Sequence, residues 1–304
     1  MTQPETLSSD WGAGAVSHFI TKTHHEPNAA LDPTKVTLPK PFIVCVIGAR
    51  RGIGAGIAYS YAKAGASGLV LASRRLSGLE ETAAKCRSLQ PGIETEIVEC
   101  DISSNSSVAS LAQATQAKFG RLDVVVVNSG FSGPVVLSLT DTDPETFKQA
   151  IDVNYVGTFH CAKHLVPLLL ATSGGGKAFI VVSSLASVLV RGPIANTQYC
   201  VSKLAQLKLM EHVHEQYSAQ GLKAFSVHPG AVETEMAVET CPEVFRGALV
   251  DSVELCGAFC VWSTKEGRGW LSGRLVCANW DVEELEGRRE EVVKRDLLKV
   301  RVGV

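Results

Sequence analysis

With 304 residues and 45% hydrophobic side chains, the chain is long enough to bury the core of one α/β domain or two small ones. Its formal net charge of -2 gives no electrostatic footprint for nucleic acid or an anionic membrane, so we expect neither as a partner. No apolar run reaches the roughly 20 residues of a membrane helix, and the N-terminal residues lack an apolar signal core. Nine scattered cysteines, several within apolar runs, favour reduced thiols in a cytoplasmic protein.

The predicted elements follow an irregular N-terminal segment. Residues 1–40 lack sustained periodicity, and we predict an extension that is loop-like or partly disordered. Short apolar runs then predict strands at 42–47, 68–72, 94–99, 122–127, 177–183, 222–227 and 275–278. Between them, helices are predicted near 53–64, 77–89, 104–119, 144–172, 197–219 and 251–265, with a break within 144–172 left open, followed by a charged helix near 281–298.

The alternation of strands and helices indicates the fold class. Near-continuous apolar strands such as 124–127 indicate burial on both faces, hence a parallel sheet. We predict a single-domain, doubly wound Rossmann fold over residues 41–304, with a parallel seven-stranded sheet, helices on both faces and a short C-terminal helix. Nothing in the sequence indicates a separate substrate domain.

A glycine-rich turn directly follows the first predicted strand and opens the first predicted helix. Glycines allow the backbone to approach a pyrophosphate closely, and the helix N-terminus stabilises its charge. The sequence therefore predicts a dinucleotide site. Its predicted phosphate-binding residues are Gly48, Arg50, Arg51, Gly52, Ile53 and Gly54.

The second predicted strand indicates which dinucleotide is bound. It is followed by Ser73, Arg74 and Arg75, with no acidic residue where an NAD-binding chain would hold the ribose hydroxyls. Arg74 offers a planar fork of donors to a 2′-phosphate, and Arg51 can reach the same phosphate. We therefore predict NADP(H) as the cofactor.

Tyr199 and Lys203 form the candidate catalytic pair. They are four residues apart in a predicted helix and so lie on one face of it. The ammonium can favour the phenolate and bring a phenol with an ordinary pKa of about 10 towards the working range. Such a phenol can exchange a proton with a carbonyl or alcohol oxygen.

Taken together and in order, these motifs resemble the classical short-chain dehydrogenase/reductase family over residues 42–280, and the two ends of the chain resemble members from filamentous fungi, often in specialised metabolism. The motifs that carry the resemblance are Gly48-x-x-x-Gly52-x-Gly54, Asp101-Ile102, Asn128-Ser129-Gly130, Val153-Asn154, Ser183-Ser184, Tyr199-x-x-x-Lys203 and Pro229-Gly230 with Val232 and Thr234. The resemblance implies an NADPH-dependent reductase of ketones or aldehydes that also runs in reverse as an alcohol dehydrogenase.

The resemblance also implies a role for each member of a Ser-Tyr-Lys-Asn tetrad. Tyr199 would be the general acid, Lys203 would bind the nicotinamide ribose and lower the pKa of Tyr199, and Ser184 would hydrogen-bond to the substrate oxygen. Asn154 would hold a water that links Lys203 to solvent. The remaining implied cofactor contacts are Ser73, Arg75, Asp101, Ile102, Asn128, Ser129, Gly130, Pro229, Gly230, Val232 and Thr234.

Several alternatives stay open. Ser184 lies farther from Tyr199 than the family pattern leads us to expect, so Ser183 and Ser187 remain candidates for the catalytic serine. A non-redox relative that uses the dinucleotide as a scaffold, a sensor or a cyclase component is the alternative function. Five residues are candidates for a lid over a bulky, largely apolar carbonyl or alcohol substrate: Val135, Leu189, Ile194, Met236 and Phe245.

We expect no metal site and a homo-oligomeric assembly. His160 and His164 share a helical face without the glutamate of a zinc motif, so we expect packing residues and no metal site. The resemblance implies a homodimer or homotetramer formed through the long helices.

Overall fold

A seven-stranded parallel sheet forms the centre of the molecule, whose structure is a computed structural model that describes residues 13–302 (main chain only at residue 244). The strand order β3-β2-β1-β4-β5-β6-β7 is that of a doubly wound fold, and every neighbouring pair is parallel, as predicted. The strands are β1 Ile43–Ile47, β2 Gly68–Ser73, β3 Glu94–Glu99, β4 Val124–Val127, β5 Ala178–Val182, β6 Lys223–His228 and β7 Arg274–Cys277.

Helices cover both faces of the sheet. Side chains of β1 alternate between the two core layers: Val44 and Val46 belong to one, Cys45 and Ile47 to the other. On the first face, α2 and α10 pack closely because Gly56 lies against the Val253 carbonyl, where a side chain would clash. The helices are α1 Gly14–Ser17, α2 Gly52–Lys63, α3 Leu79–Leu89, α4 Asn105–Phe119, α5 Pro144–Ile151, α6 Gly157–Ala171, α7 Thr197–Tyr217, α8 Glu235–Thr240, α9 Glu243–Arg246, α10 Val253–Thr264, α11 Val282–Gly287 and α12 Arg289–Lys294.

The structure differs from the sequence-based elements in several places: the short helices α1, α8 and α9 were not predicted, and two of the predicted helices are divided. The predicted helix 144–172 consists of α5 and α6 joined by a π-helical turn, Asp152–Val156, which contains Asn154. The predicted charged helix 281–298 is two short helices, because Arg288 leaves the helical conformation and the chain beyond α12 runs alongside β7, with the Leu275 N–H donating to the Leu298 carbonyl at 2.9 Å.

The part of the N-terminal extension that the structure describes lies against the C-terminal segment. Ile20 is fully buried, and the Asp281 N–H donates to the Lys22 carbonyl at 2.9 Å. The Asp281 carboxylate accepts from His24 and Lys22 at 2.8 and 2.9 Å. These bonds hold residues 20–25 on the body, whereas the part of the predicted disorder that falls on residues 1–12 lies outside the described residues.

The strand order places a crevice at the carboxyl edge of the sheet. After β1 the chain moves to β2 on one side, and after β4 it moves to β5 on the other. The loops that follow β1 and β4 therefore diverge, and a ligand can enter between them. Within residues 13–302, no helix has the length and apolar character required to cross a bilayer.

Candidate active site

A cavity of about 1080 Å³ opens at this carboxyl edge of the sheet. The loops after β1, β2, β4, β5 and β6 all contribute to its wall. Every site residue predicted from the sequence lines it except Gly54, which lies under the glycine turn, and Asn154, which is buried behind the wall. The five candidate lid residues also line this cavity.

The glycine turn is shaped by close backbone contacts. Gly48 has a φ of +88°, and a Cβ there would lie 2.8 Å from the Ser129 nitrogen. A Cβ at Gly54 would clash with the Gly48 carbonyl, which also accepts a hydrogen bond from Asn128 Nδ2 at 3.0 Å. No side chain caps the N-terminus of α2, so its first N–H groups are available to an anion in the cavity. This arrangement fits a pyrophosphate.

Arginines occupy the same end of the cavity. Arg50, Arg74 and Arg75 line it beside Arg51. The Arg51 guanidinium forms an ion pair with Glu235 of α8, an acidic partner that the sequence analysis missed because the two residues lie far apart in the chain. Arg74 sits at the end of β2, where a 2′-phosphate-binding arginine is expected.

The structure brings Ser184, Tyr199 and Lys203 together. The Ser184 side chain lies close enough to the Tyr199 phenol to lower its pKa through a side-chain hydrogen bond, and its Oγ also accepts from the Ala186 N–H at 3.1 Å. The Lys203 ammonium lies 5.7 Å from the centre of the Tyr199 ring. Ser183 and Ser187 are also buried, but no partner among the described residues satisfies either hydroxyl. Ser184 is thus the serine that contacts Tyr199.

Burial governs the ionisation of the pair. It raises the pKa of Tyr199 to about 12, although the hydrogen bond with Ser184 acts in the opposite direction. It also lowers the pKa of Lys203 to about 7. The expected lowering of the Tyr199 pKa by Lys203 is therefore not the dominant effect in this structure, because both groups are taken out of water.

Asn154 is held rigidly behind the pair. Its carboxamide accepts from the Phe131 N–H at 2.8 Å and donates to the Phe131 carbonyl at 2.7 Å and to Ser202 Oγ at 2.8 Å. These bonds tie the loop after β4 to α7. The π-helical turn that contains Asn154 accommodates this inward position.

The sequence analysis missed His228, which ends β6 and lines the cavity beside the serines. Its Nδ1 accepts a hydrogen bond from the Leu185 N–H at 3.3 Å, and burial lowers its pKa to about 4. The ring is therefore neutral, with its proton on Nε2. Its position directly before Pro229-Gly230 is the only sequence signal that marks it.

The N-terminal extension also contributes to the cavity, which the sequence analysis did not predict. Ser17, His18 and His25 line it. His25 Nδ1 lies 2.6 Å from one oxygen of Asp251, whose other oxygen accepts from the Ala231 N–H at 2.6 Å. The extension thus braces the loop 229–234, which carries predicted cofactor contacts.

Comparisons with known proteins identify the family. The sequence profile described as short chain dehydrogenase matches residues 42–244. A curated relative from Aspergillus terreus, named Short chain dehydrogenase pgmD, is 37% identical, and the alignment covers 100% of both chains. The chain belongs to the short-chain dehydrogenase family, and the resemblance to members from filamentous fungi is confirmed.

Solved structures share the fold. A short chain dehydrogenase from Shigella flexneri complexed with NADP superposes with a TM-score of 0.71 at 24% identity, covering 80% of this chain and 99% of that one. A 3-oxoacyl-[acyl-carrier protein] reductase from Brucella melitensis in complex with NAD gives a TM-score of 0.71 at 23% identity, covering 80% and 97%. These two neighbours share the fold and bind different dinucleotides.

Proposed function

We propose that this oxidoreductase is an NADPH-dependent reductase of ketones or aldehydes that acts on a bulky, largely apolar molecule of fungal specialised metabolism. The observation that carries the proposal is the contact between Ser184 and Tyr199, with Lys203 adjacent, on the wall of the cavity that the glycine turn also lines. The apolar character of Val135, Leu189 and Ile194 in that wall supports an apolar substrate.

The proposed mechanism assigns each polar side chain one task. Bound NADPH supplies the hydride for the carbonyl carbon. Tyr199 gives its phenolic proton to the carbonyl oxygen, and Ser184 donates a hydrogen bond that stabilises the developing negative charge. Lys203 holds its charge beside the phenol and favours the tyrosinate left after proton transfer. In the reverse direction Tyr199 acts as the base.

The arginines support NADP(H) over NAD. Arg74 and Arg51 are exposed at the dinucleotide end, and no acidic residue follows β2 directly. A guanidinium meets a phosphate with two parallel hydrogen bonds, which an NAD ribose cannot engage in the same way. Glu235 neutralises Arg51 in this structure, so Arg74 is the residue expected to discriminate more strongly.

Titration of the purified protein with NADPH and NADH, followed by nicotinamide fluorescence, tests this proposal. Arg74→Ala is expected to weaken NADPH binding about 10- to 100-fold and to change NADH binding by less than about twofold, because a charge-assisted phosphate contact is removed. Arg289→Ala, at an exposed position on α12 outside this cavity, is the matched control. Equal weakening of both dinucleotides contradicts the assignment of NADP(H).

A screen of carbonyl compounds with NADPH then tests the redox activity. Dinucleotide binding without turnover on any ketone or aldehyde would favour the alternative function as a scaffold, sensor or cyclase. Oxidation of NADPH that depends on a carbonyl compound would support the proposed reductase.

The surface supports homo-oligomerisation. Tyr155, Phe159, Val201 and Leu204 are apolar or aromatic side chains exposed by 37% to 48% on the π-helical turn, α6 and α7. Contiguous exposed apolar side chains indicate an interface, and we propose that a second copy of the chain covers them. Phe159→Glu is expected to shift the mass in solution towards the monomer.

The nine unpaired cysteines support a reducing compartment, and we propose the cytoplasm.

A further inference from the structure

The carboxamide of Gln206 lies at the buried centre of the catalytic helix. Gln206 is three residues after Lys203 on α7 and is fully buried. Its Oε1 accepts a hydrogen bond from Lys203 Nζ at 3.2 Å. Its Nε2 donates to the Asn154 carbonyl at 3.0 Å and to Thr158 Oγ1 at 2.8 Å. Only this orientation suits an ammonium, which is a pure donor, and a backbone carbonyl, which is a pure acceptor.

Gln206 joins Lys203 directly to Asn154. The Asn154 carbonyl accepts from Gln206 Nε2 and also from Thr158 Oγ1 at 2.7 Å, which uses both of its lone pairs. The water that the family resemblance implies at Asn154 would therefore have to compete with two protein donors at this oxygen. A carboxamide neither gains nor loses a proton in the neutral pH range, so this link holds the ammonium in place and does not act as an acid or a base.

The remaining donor of Lys203 is directed by these bonds. Nζ carries three hydrogens, of which one goes to the Val182 carbonyl at 2.9 Å and one to Gln206. The third is left for the cavity that Lys203 lines. We propose that Gln206 is a positioning residue that anchors the Lys203 ammonium from behind and aims its free N–H towards the dinucleotide and Tyr199.

Because Lys203 is buried, the hydrogen bond to Gln206 affects how much of its side chain stays protonated. Burial lowers the pKa of Lys203 to about 7, so a single acceptor changes how much of the ammonium persists at neutral pH. Tyr199 is the titratable side chain that faces Lys203 among the described residues. The other groups packed against it, from β5, the loop after β4 and the π-helical turn, are neutral: Val182, Gly130 and Asn154.

Direct titration of Lys203 in the free protein tests the proposal. In protein carrying ¹³Cε-labelled lysine, the Lys203 resonance is assigned by its loss in Lys203→Arg, and its pKa is followed by NMR. Gln206→Met is expected to lower this pKa by about one unit because an acceptor of the ammonium is lost. Gln206→Glu is expected to raise it, because a carboxylate favours the charged form.

The matched control is Gln216→Met, at an exposed position on the same helix, which is expected to leave the Lys203 pKa unchanged. A Lys203 pKa that stays at its wild-type value in both Gln206 variants overturns the proposal. Because the two variants are expected to shift the pKa in opposite directions, the failure of one of them to fold still leaves the other as a decisive test.

The catalytic meaning of this anchor rests on the proposed function, and a second measurement separates the two. Activity requires the Lys203 ammonium, so kcat/KM is expected to fall as pH rises through the Lys203 pKa. This basic limb should move to lower pH in Gln206→Met and to higher pH in Gln206→Glu. If the Lys203 pKa shifts in the Gln206 variants but the wild-type protein reduces no carbonyl compound, the anchor is retained and the reductase is rejected. If the wild-type protein reduces a carbonyl compound but the Lys203 pKa is unchanged in both variants, the reductase is retained and the anchor is rejected.

Discussion

The two ends of the cavity are built in different ways. At the dinucleotide end, Gly48, Gly54 and Asn128 come from the turns after two adjacent strands, and their contacts are between backbone and neighbouring side chain. At the other end, where the N-terminal extension docks, His25 contacts Asp251, which is 226 residues away in the chain. The first end depends on short contiguous motifs, whereas the second depends on the docking of distant segments. Substitutions at the two ends should therefore differ in their effects on activity and on the free energy of unfolding.

Tyr199 lines the cavity, and its substitution is expected to have the largest effect. Tyr199→Phe should reduce kcat by about 10²- to 10⁴-fold because the general acid is removed, while dinucleotide affinity stays within about twofold. Steady-state kinetics and fluorescence titration measure the two quantities. Tyr217→Phe, on the same helix but outside the cavity, is the control. Full turnover in Tyr199→Phe would rule out the proposed mechanism.

The serine assignment gives the next largest expected effect. Ser184→Ala should lower kcat/KM about 10²-fold, because the proposed donor to the developing oxyanion is lost. Ser187→Ala, which removes a buried hydroxyl without a partner among the described residues, should change it by less than about threefold. The opposite ranking of these two variants would transfer the catalytic role to Ser187.

A substitution where the N-terminal extension docks should affect folding as well as activity. The Asp251 side chain is 2% exposed and accepts from His25 and from the Ala231 N–H. Asp251→Ala should lower the free energy of unfolding by about 2 kcal/mol, because the Ala231 N–H loses its buried partner. Denaturant unfolding measures this loss, and Asp141→Ala on an exposed turn is the control. Unchanged stability would mean that the extension does not brace the loop 229–234.

Lys203 provides a pH test with the smallest expected effect. Its folded pKa of about 7 lies below its unfolded value, so between these values the unfolded chain binds the extra proton. The contribution of Lys203 to the free energy of unfolding should therefore rise with pH, by about 1 kcal/mol per unit between pH 7 and 9. The measured quantity is the difference between wild type and Lys203→Met at pH 7, 8 and 9.

Groups that titrate in the same way in wild type and in Lys203→Met cancel in this difference. Burial raises the pKa of Cys86 to about 12 and that of Cys100 to about 11, and these thiols contribute equally to the two unfolding curves. A difference that stays flat over this range would show that Lys203 keeps an ordinary pKa in the folded protein. Lys203 would then be charged at neutral pH without the hydrogen bond to Gln206.

The sequence by itself determined the sheet and the dinucleotide end. The apolar run 124–127 predicts a strand buried on both faces, and the glycine spacing from Gly48 to Gly54 predicts a close backbone turn, because both depend on properties of neighbouring residues. The pairing of Tyr199 with Lys203 is likewise a consequence of helical periodicity. These features need no knowledge of where the rest of the chain lies.

Only the tertiary structure shows the contacts on which the proposed serine, the proposed anchor of Lys203 and the docking of the extension depend. Ser184 is distinguished from Ser187 only by its contact with Tyr199, and Gln206 is distinguished from other helix residues only by its burial against Asn154. The His25–Asp251 contact joins segments that no local pattern relates. Hydrogen bonds between distant segments, and the pKa changes caused by burial, arise only once the chain has packed. Their physical origin is the exclusion of water, which a linear sequence does not display.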